Sequence, residues 1–328
     1  MIKQSNPIAW LGLSLLTACC TLASAAQAQQ LARINGALQA GEADSALAQL
    51  RSLPQGGMDS AEAQNLSCRV HYTLQQWDQA TSACQKAVQL DGNNARYHLW
   101  LGRALGEKAG HANFMSAYSL GKQTRAEFET AARLNPRDAE ALSDLGDFYQ
   151  QAPGIVGGGT DKAERVARQL DSVDPARAHQ LRARIAEGHS DFGSAERELK
   201  AAIAASAHPA LYWTTLASFF RRRQRWQDLD SAVHNSYTAA SRDRHATIAL
   251  YDGAGVLIES KRDPAMAAKM LEAYIGSDSR TEEGPTFEAH VRLAKLKNSL
   301  GDDTAAKRER AAALALARAY KPALDARY

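Results

Sequence analysis

The sequence has little of what a β-sheet or an enzyme active site requires. It lacks long alternations of Val, Ile and Thr, so we do not expect a substantial sheet. Its 9 histidines form no H-E-x-x-H element, and neither a C-x-x-C-H haem-attachment motif nor a G-x-S-x-G nucleophile elbow occurs. These absences predict a protein that is not an enzyme and that holds neither a metal nor a cofactor.

The chain is rich in alanine, which has the highest intrinsic helix propensity and a side chain small enough for helices to approach closely. Aromatic residues make up only 7% of the chain, and the formal net charge of +3 over 328 residues is nearly balanced. Binding of nucleic acid usually needs a concentrated basic face, which a nearly neutral chain does not suggest. The composition therefore favours an all-α protein with no nucleic-acid partner.

The N-terminal residues 1–28 have the composition of a secretory signal peptide. A single lysine is followed by a mostly apolar stretch over residues 8–22 and by an A-x-A site that ends at Ala28. The segment from Leu16 to Cys19 also resembles a bacterial lipobox, after which the signal is cut and the cysteine is acylated. Both alternatives predict export to the periplasm. Only the second, in which Cys19 is lipidated, predicts contact with a membrane.

Further along the chain, four segments share one spacing. Each opens with an aromatic residue followed by contact residues seven positions apart on one helix face, and they begin at Trp77, Phe128, Phe192 and Trp226. The pattern resembles the tetratricopeptide repeat (TPR), a helix-turn-helix unit of about 34 residues. The resemblance implies small residues where the two helices of a unit cross, and a buried aromatic side chain at Trp226.

The same resemblance implies an all-α fold, an α-α superhelix or TPR solenoid, over residues 29–328. One unit cannot cover its own apolar face, so neighbouring units must stack. We expect about eight helix-turn-helix units. They lie near residues 29–60, 61–94, 95–138, 139–175, 176–209, 210–247, 248–286 and 287–320.

Two insertions interrupt the repeat. The first lies within residues 106–123, whose helix-compatible sequence predicts a lengthened helix hairpin. The second, residues 152–160, contains one proline and four glycines and is expected to form a loop, with Thr160 or Asp161 capping the next helix. This loop lacks the Gly-Lys-Ser/Thr ending of a phosphate-binding loop, so we do not expect it to bind a nucleotide. It resembles a loop of bacterial envelope TPR proteins of unknown role.

Cys68 and Cys84 are the cysteines that remain once the signal is removed. The resemblance implies that they lie on the two facing helices of one unit. In an oxidising compartment a disulfide is expected, and two small buried thiols are the alternative.

The resemblance further implies a concave groove lined by the first helix of each unit. The residues carried over to this groove are Asn65, Arg69, Tyr72, Arg103, Asp147, Gln150, Arg184, Thr214, Ser218, Arg221 and Arg222. Their arginines make the groove mildly basic. This charge predicts that the groove binds an extended or acidic peptide through charge-assisted hydrogen bonds. We therefore expect an adaptor of the bacterial envelope that binds another protein or peptide. The alternative is a lipid-anchored outer-membrane scaffold.

Overall fold

The structure, a computed structural model, describes residues 26–54 and 56–326. Within these ranges every regular element is a helix, which confirms the predicted all-α fold. Cys19 and the other residues up to 25 lie outside the described part of the chain. The signal peptide and its two processing alternatives therefore remain predictions.

Consecutive helices of the described chain pair into eight hairpins, from α1 with α2 to α15 with α16, and the short helix α17 follows. The helices are α1 (26–39), α2 (Ala43–Arg51), α3 (Ala61–Thr73), α4 (Trp77–Leu90), α5 (Ala95–Gly110), α6 (Phe114–Leu134), α7 (Ala139–Gln151), α8 (Thr160–Leu170), α9 (Pro175–Gly188), α10 (Phe192–Ala205), α11 (Ala210–Arg222), α12 (Trp226–Ala240), α13 (Ile248–Ser260), α14 (Pro264–Ile275), α15 (Thr286–Ser299), α16 (Asp303–Leu316) and α17 (Lys321–Leu324).

The hairpins repeat one turn chemistry. A residue with positive φ follows the first helix in six of them, a backbone conformation that ends a helix and satisfies its last carbonyls. These residues are Gly41, Gln75, Ser190, Gln224, Lys261 and Gly301. The second helix then often starts at an aspartate, and the side chains of Asp191 and Asp302 accept hydrogen bonds from the first turns of α10 and α16. Local sequence thus sets where each hairpin turns.

Small residues lie where paired helices cross, as the TPR resemblance implied. A Cβ atom on Gly102 would lie 2.5 Å from the ring of Phe128 in its partner helix α6. One on Gly146 would lie 3.2 Å from Val166 in its partner helix α8, and 2.3 Å from Leu181 in α9 of the next unit. The implied burial of Trp226 is wrong, because this side chain is 39% exposed. Trp226 is the first residue of α12, and its indole ring lies near the guanidinium of Arg262, with the centroid 5.8 Å away.

The two ends of the array pack against each other, a feature that the repeat pattern did not predict. Ile34 and Leu38 of α1 share one apolar cluster with Phe287 and Val291 of α15 and with Tyr320. Beside this cluster the Thr286 hydroxyl donates a hydrogen bond of 2.9 Å to a backbone carbonyl at the end of α1. The described array therefore closes into a ring.

Both insertions have the predicted character. The hairpin α5–α6 is lengthened to helices of 16 and 21 residues. Residues 152–159 form a loop with one 3-10 turn, Gly154–Val156. The predicted cap by Thr160 or Asp161 is wrong, because Gly159 is the N-cap of α8 and Thr160 already belongs to its first turn.

Candidate protein-binding surfaces

Cys68 of α3 and Cys84 of α4 form a disulfide, with their Cα atoms 5.1 Å apart. Of the two alternatives left open by the sequence, the structure has the bonded one. Both residues are fully buried at the crossing of the two helices, where close approach brings their side chains within bonding reach. The bond therefore ties the two helices of one hairpin together.

Three of the predicted groove residues are buried and are not available to a ligand. Asn65 and Arg69 are 0% exposed and Thr214 is 4% exposed. The Thr214 hydroxyl is hydrogen-bonded to Ser236 at 2.7 Å, inside the contact between helices. The prediction that these three side chains face the groove is therefore wrong. At these positions the neighbouring parts of the chain pack closely enough to cover the first helix.

Arg69 is covered by the connection between α14 and α15, residues 276–285, here called the closing segment. Glu282 of this segment receives three hydrogen bonds from two nitrogens of the Arg69 guanidinium and one of 2.9 Å from the Gln39 amide. The guanidinium also donates to Asn35 of α1 at 2.9 Å. An acidic side chain of the protein itself thus occupies the site that the sequence assigned to an acidic ligand.

The remaining arginines of the predicted groove are paired with carboxylates. Arg103 contacts Asp144 at 2.6 Å and Glu140 at 2.7 Å, and Arg184 pairs with Asp147. Each pair joins the first helices of neighbouring units, α5 with α7 and α7 with α9.

Further along, Arg221 contacts Glu259 at 2.9 Å and Arg222 contacts Glu187 at 2.7 Å. The prediction of a basic groove is therefore wrong. Carboxylates that the repeat pattern did not assign to the groove pair with its arginines and neutralise their charge.

The other predicted groove residues separate into two places. Tyr72, Arg103 and Asp147 lie at one cavity, while Gln150 donates a hydrogen bond to the Arg184 carbonyl. The remaining predicted groove residues line a second cavity of about 410 Å³. It is lined by Arg184, Thr214, Ser218, Arg221 and Arg222, together with Asp252 and Arg292. Burial raises the pKa of Asp252 to about 7, against the opposing attraction of Arg292.

The first cavity, of about 770 Å³, lies where the two insertions meet, and we call it the insertion groove. Three helix faces line it at helical spacing. They carry Gly102, Arg103, Gly106 and Gly110 on α5, Phe114, Ala117, Tyr118, Gly121 and Phe128 on α6, and Asp144, Asp147, Phe148 and Gln151 on α7. The loop adds Pro153, Ile155 and Val156. Phe114 and Ile155 are 74% and 63% exposed, so large apolar side chains at this groove face solvent.

The glycine-rich loop is held in a defined shape. Gly157 has a φ of 98°, and a Cβ atom on Gly158 would lie 1.8 Å from the carbonyl oxygen of Ala152. Both positions therefore need glycine. The Lys162 ammonium group donates a hydrogen bond of 2.7 Å to the Gly157 carbonyl and ties the loop to α8. The groove thus has a preformed wall on the side of Ile155.

The sequence predicted both insertions but not that the loop 152–159 contacts α6. Val156 of the loop packs against α6 beside Gly121, where a Cβ atom would lie 3.3 Å from Val156 Cγ1. The available signal was the spacing of Phe114, Tyr118 and Gly121, which places all three on one face of α6.

The described residues contain no group of three His, Cys, Asp or Glu side chains placed to hold a metal ion. No helix in the described ranges has the length and apolar character that crossing a membrane requires.

Comparison with known proteins finds partial similarities. The chain is 29% identical over 147 residues to Superkiller complex protein 3 of Mus musculus, a match that covers 42% of this chain and 8% of that protein. A thermophilic TPR protein in Thermus thermophilus is 17% identical with a TM-score of 0.50, over 59% of this chain and 98% of that one. The protein MamA is 22% identical with a TM-score of 0.39, over 50% of this chain and 88% of that one.

No known protein-family profile matches the sequence. The evidence for the architecture is therefore structural. It consists of the hairpin array, the small residues at the helix crossings, and the similarity in fold to the Thermus protein. Together they show that the described chain has the fold of a TPR solenoid.

Proposed function

We propose that this protein is a non-catalytic scaffold that binds a segment of another protein in the insertion groove. TPR folds generally serve to bind protein partners, and stacked repeats present extended surfaces for that purpose. The observation that carries the proposal is the meeting of two insertions around one groove with exposed Phe114 and Ile155. Apolar side chains exposed around a concave site are typical of surfaces that a partner covers.

The inner end of the groove includes three of the residues predicted from the repeat pattern. Tyr72, Arg103 and Asp147 line it, and we retain them in the proposed surface. The second cavity, with Ser218, Arg221 and Arg222, is more polar and its arginines are engaged in ion pairs. We therefore place the main contact at the insertion groove.

We further propose that the protein works in the bacterial cell envelope, because residues 1–28 have the pattern of a signal peptide. The alternative is a scaffold anchored to the outer membrane by lipid on Cys19. Mass spectrometry of the mature N-terminus separates the two. A chain starting at Gln29 supports simple cleavage after Ala28, whereas an acylated Cys19 supports the anchored form.

Affinity purification from envelope extract tests the groove itself. The double variant Phe114→Asp with Ile155→Asp places two charges in the apolar part of the groove and should abolish capture of the partner. Leu90→Asp with Leu300→Asp is the matched control, because those leucines are 52% and 54% exposed and do not line the groove. If the groove variant retains the same partners as the wild-type chain and the control variant, the proposal is wrong.

A further inference from the structure

The insertion groove has an acidic side as well as an apolar one. Glu107 of α5 and Asp144 and Asp147 of α7 line it, against the single guanidinium of Arg103. The apolar side chains of α6 and of the loop line the same groove. A segment bound along the groove therefore meets both kinds of surface.

The guanidinium groups at the groove are already engaged, and the ammonium group of Lys122 lies over the ring of Tyr118. Arg103 is paired with Asp144 and also with Glu140, and its guanidinium lies 4.8 Å from the centre of the Trp100 ring. Asp147 likewise forms an ion pair with Arg184. An acidic ligand would therefore find no free guanidinium among these residues.

The carboxylates are only partly compensated. Among the described residues, Glu107 forms no ion pair with a lysine or arginine, and its side chain is exposed. Burial raises the pKa of Asp144 despite the opposing attraction of Arg103, so one guanidinium does not offset the cost of burying that charge. A cationic group brought into the groove would gain from both carboxylates.

We infer that the insertion groove binds a basic amphipathic protein segment, with apolar side chains against Phe114, Tyr118 and Ile155 and a Lys or Arg directed at Glu107. This inference rests on the proposed function and names the chemistry of its partner. It reverses the acidic ligand expected from the sequence. With the ion-pair partners Glu140 and Arg184 and the exposed Lys122 beside Tyr118 included, the groove has four carboxylates against three cationic groups. Among the described residues, the groove carboxylate without an ion pair is Glu107, and its charge disfavours acidic ligands.

A cavity of about 770 Å³ falls in the size range of sites that enclose a whole small ligand, so it has room for several side chains of a peptide. The three helix faces and the ordered loop provide walls before the ligand arrives, which lowers the entropic cost of binding. The lengthened hairpin and the glycine loop are both departures from the repeat. Their joint effect is to build one site that a regular array of such units lacks.

The test uses the full mature chain and a phage-displayed library of random dodecapeptides. Selection runs in parallel on the wild type and on the Phe114→Asp, Ile155→Asp variant, and only clones that need the intact groove are kept. The expected clones combine apolar residues with Lys or Arg. Synthetic peptides from these clones should bind the Glu107→Lys variant about fivefold to tenfold more weakly, since an exposed charge pair contributes on the order of 1 kcal/mol.

Asp161→Lys is the matched control, because it reverses the charge of an exposed carboxylate that does not line the groove. It should leave affinity unchanged, and replacing the peptide's Lys with Glu should restore binding to Glu107→Lys. Groove-dependent clones that are acidic or uncharged would overturn this inference and leave the proposed function intact. An absence of groove-dependent clones would overturn both. So would self-association of the wild type in sedimentation experiments that the Phe114→Asp, Ile155→Asp variant abolishes.

Discussion

Removing the Glu282 carboxylate should open the ring. This carboxylate is the only acidic partner of Arg69 among the described residues, and the two side chains are 9% and 0% exposed. Replacing one partner of a buried ion pair leaves an uncompensated buried charge, which costs about 3–5 kcal/mol. The Glu282→Gln variant keeps the shape of the side chain and an oxygen that accepts from the Gln39 amide. Its NH₂ group replaces the carboxylate oxygen that accepts from Arg69 Nε, so its effect combines the lost charge with one lost hydrogen bond.

Two measurements report the effect. Urea unfolding followed by circular dichroism gives the change in the free energy of unfolding, and small-angle X-ray scattering gives the radius of gyration. If closure is cooperative with the rest of the fold, stability falls by about 3–5 kcal/mol. If the ends separate without unfolding the hairpins, stability changes less and the radius of gyration rises, because each unit of such an array is held mainly by its neighbours.

Asp278→Asn is the matched control, since this carboxylate of the closing segment is exposed and forms no ion pair among the described residues. It should leave both quantities within error of the wild type. Combining Glu282→Gln with Arg69→Met should recover part of the loss, because the double variant no longer buries an unpaired charge. A Glu282→Gln variant with unchanged stability and an unchanged radius of gyration would refute the role of this ion pair in closing the ring.

Two other predictions concern the interior. Replacing both Cys68 and Cys84 with Ala should lower the free energy of unfolding by about 3 kcal/mol, because the bond closes a loop between residues 16 positions apart; a reducing agent should produce a similar loss in the wild type and none in the variant. The raised pKa of Asp252, about 7, exceeds its value of about 4 in an unfolded chain, so folding favours the protonated form and stability falls as the pH rises from about 4 to about 7. Asp252→Asn should therefore be more stable than the wild type at pH 8, by about 1–2 kcal/mol because the carboxyl faces an open cavity, and equally stable near pH 4. Thermal unfolding at both pH values measures this difference. A stability difference that is the same at both pH values would contradict the prediction.

The sequence was sufficient for the local features of this protein. The spacing of aromatic and small residues predicts helix pairs, because a side chain's position on a helix face depends only on nearby residues. The glycines at Gly102 and Gly146 follow from the same repeat pattern, since side chains of neighbouring helices pack directly against the helix backbone at those points. The character of both insertions was also predictable, because a helix-compatible stretch and a Pro/Gly stretch differ in local backbone preference.

The concave surface was where sequence reasoning failed. The TPR pattern assigned Arg69 to a ligand, but Glu282, 213 residues away, occupies it. The pattern also left out Asp144 and Glu140, which neutralise Arg103. A repeat pattern describes each unit with its neighbours, so it contains no information about which distant carboxylate comes to lie opposite a given arginine.

The sequence by itself thus determined the helices, their pairing into hairpins and the positions of the two insertions. Only the tertiary structure decided that the array closes on itself through residues 276–285, and that the insertions meet around a single groove. The physical reason is that small rotations between stacked units add up along the array. Their sum determines which distant surfaces come into contact, and no single unit encodes it.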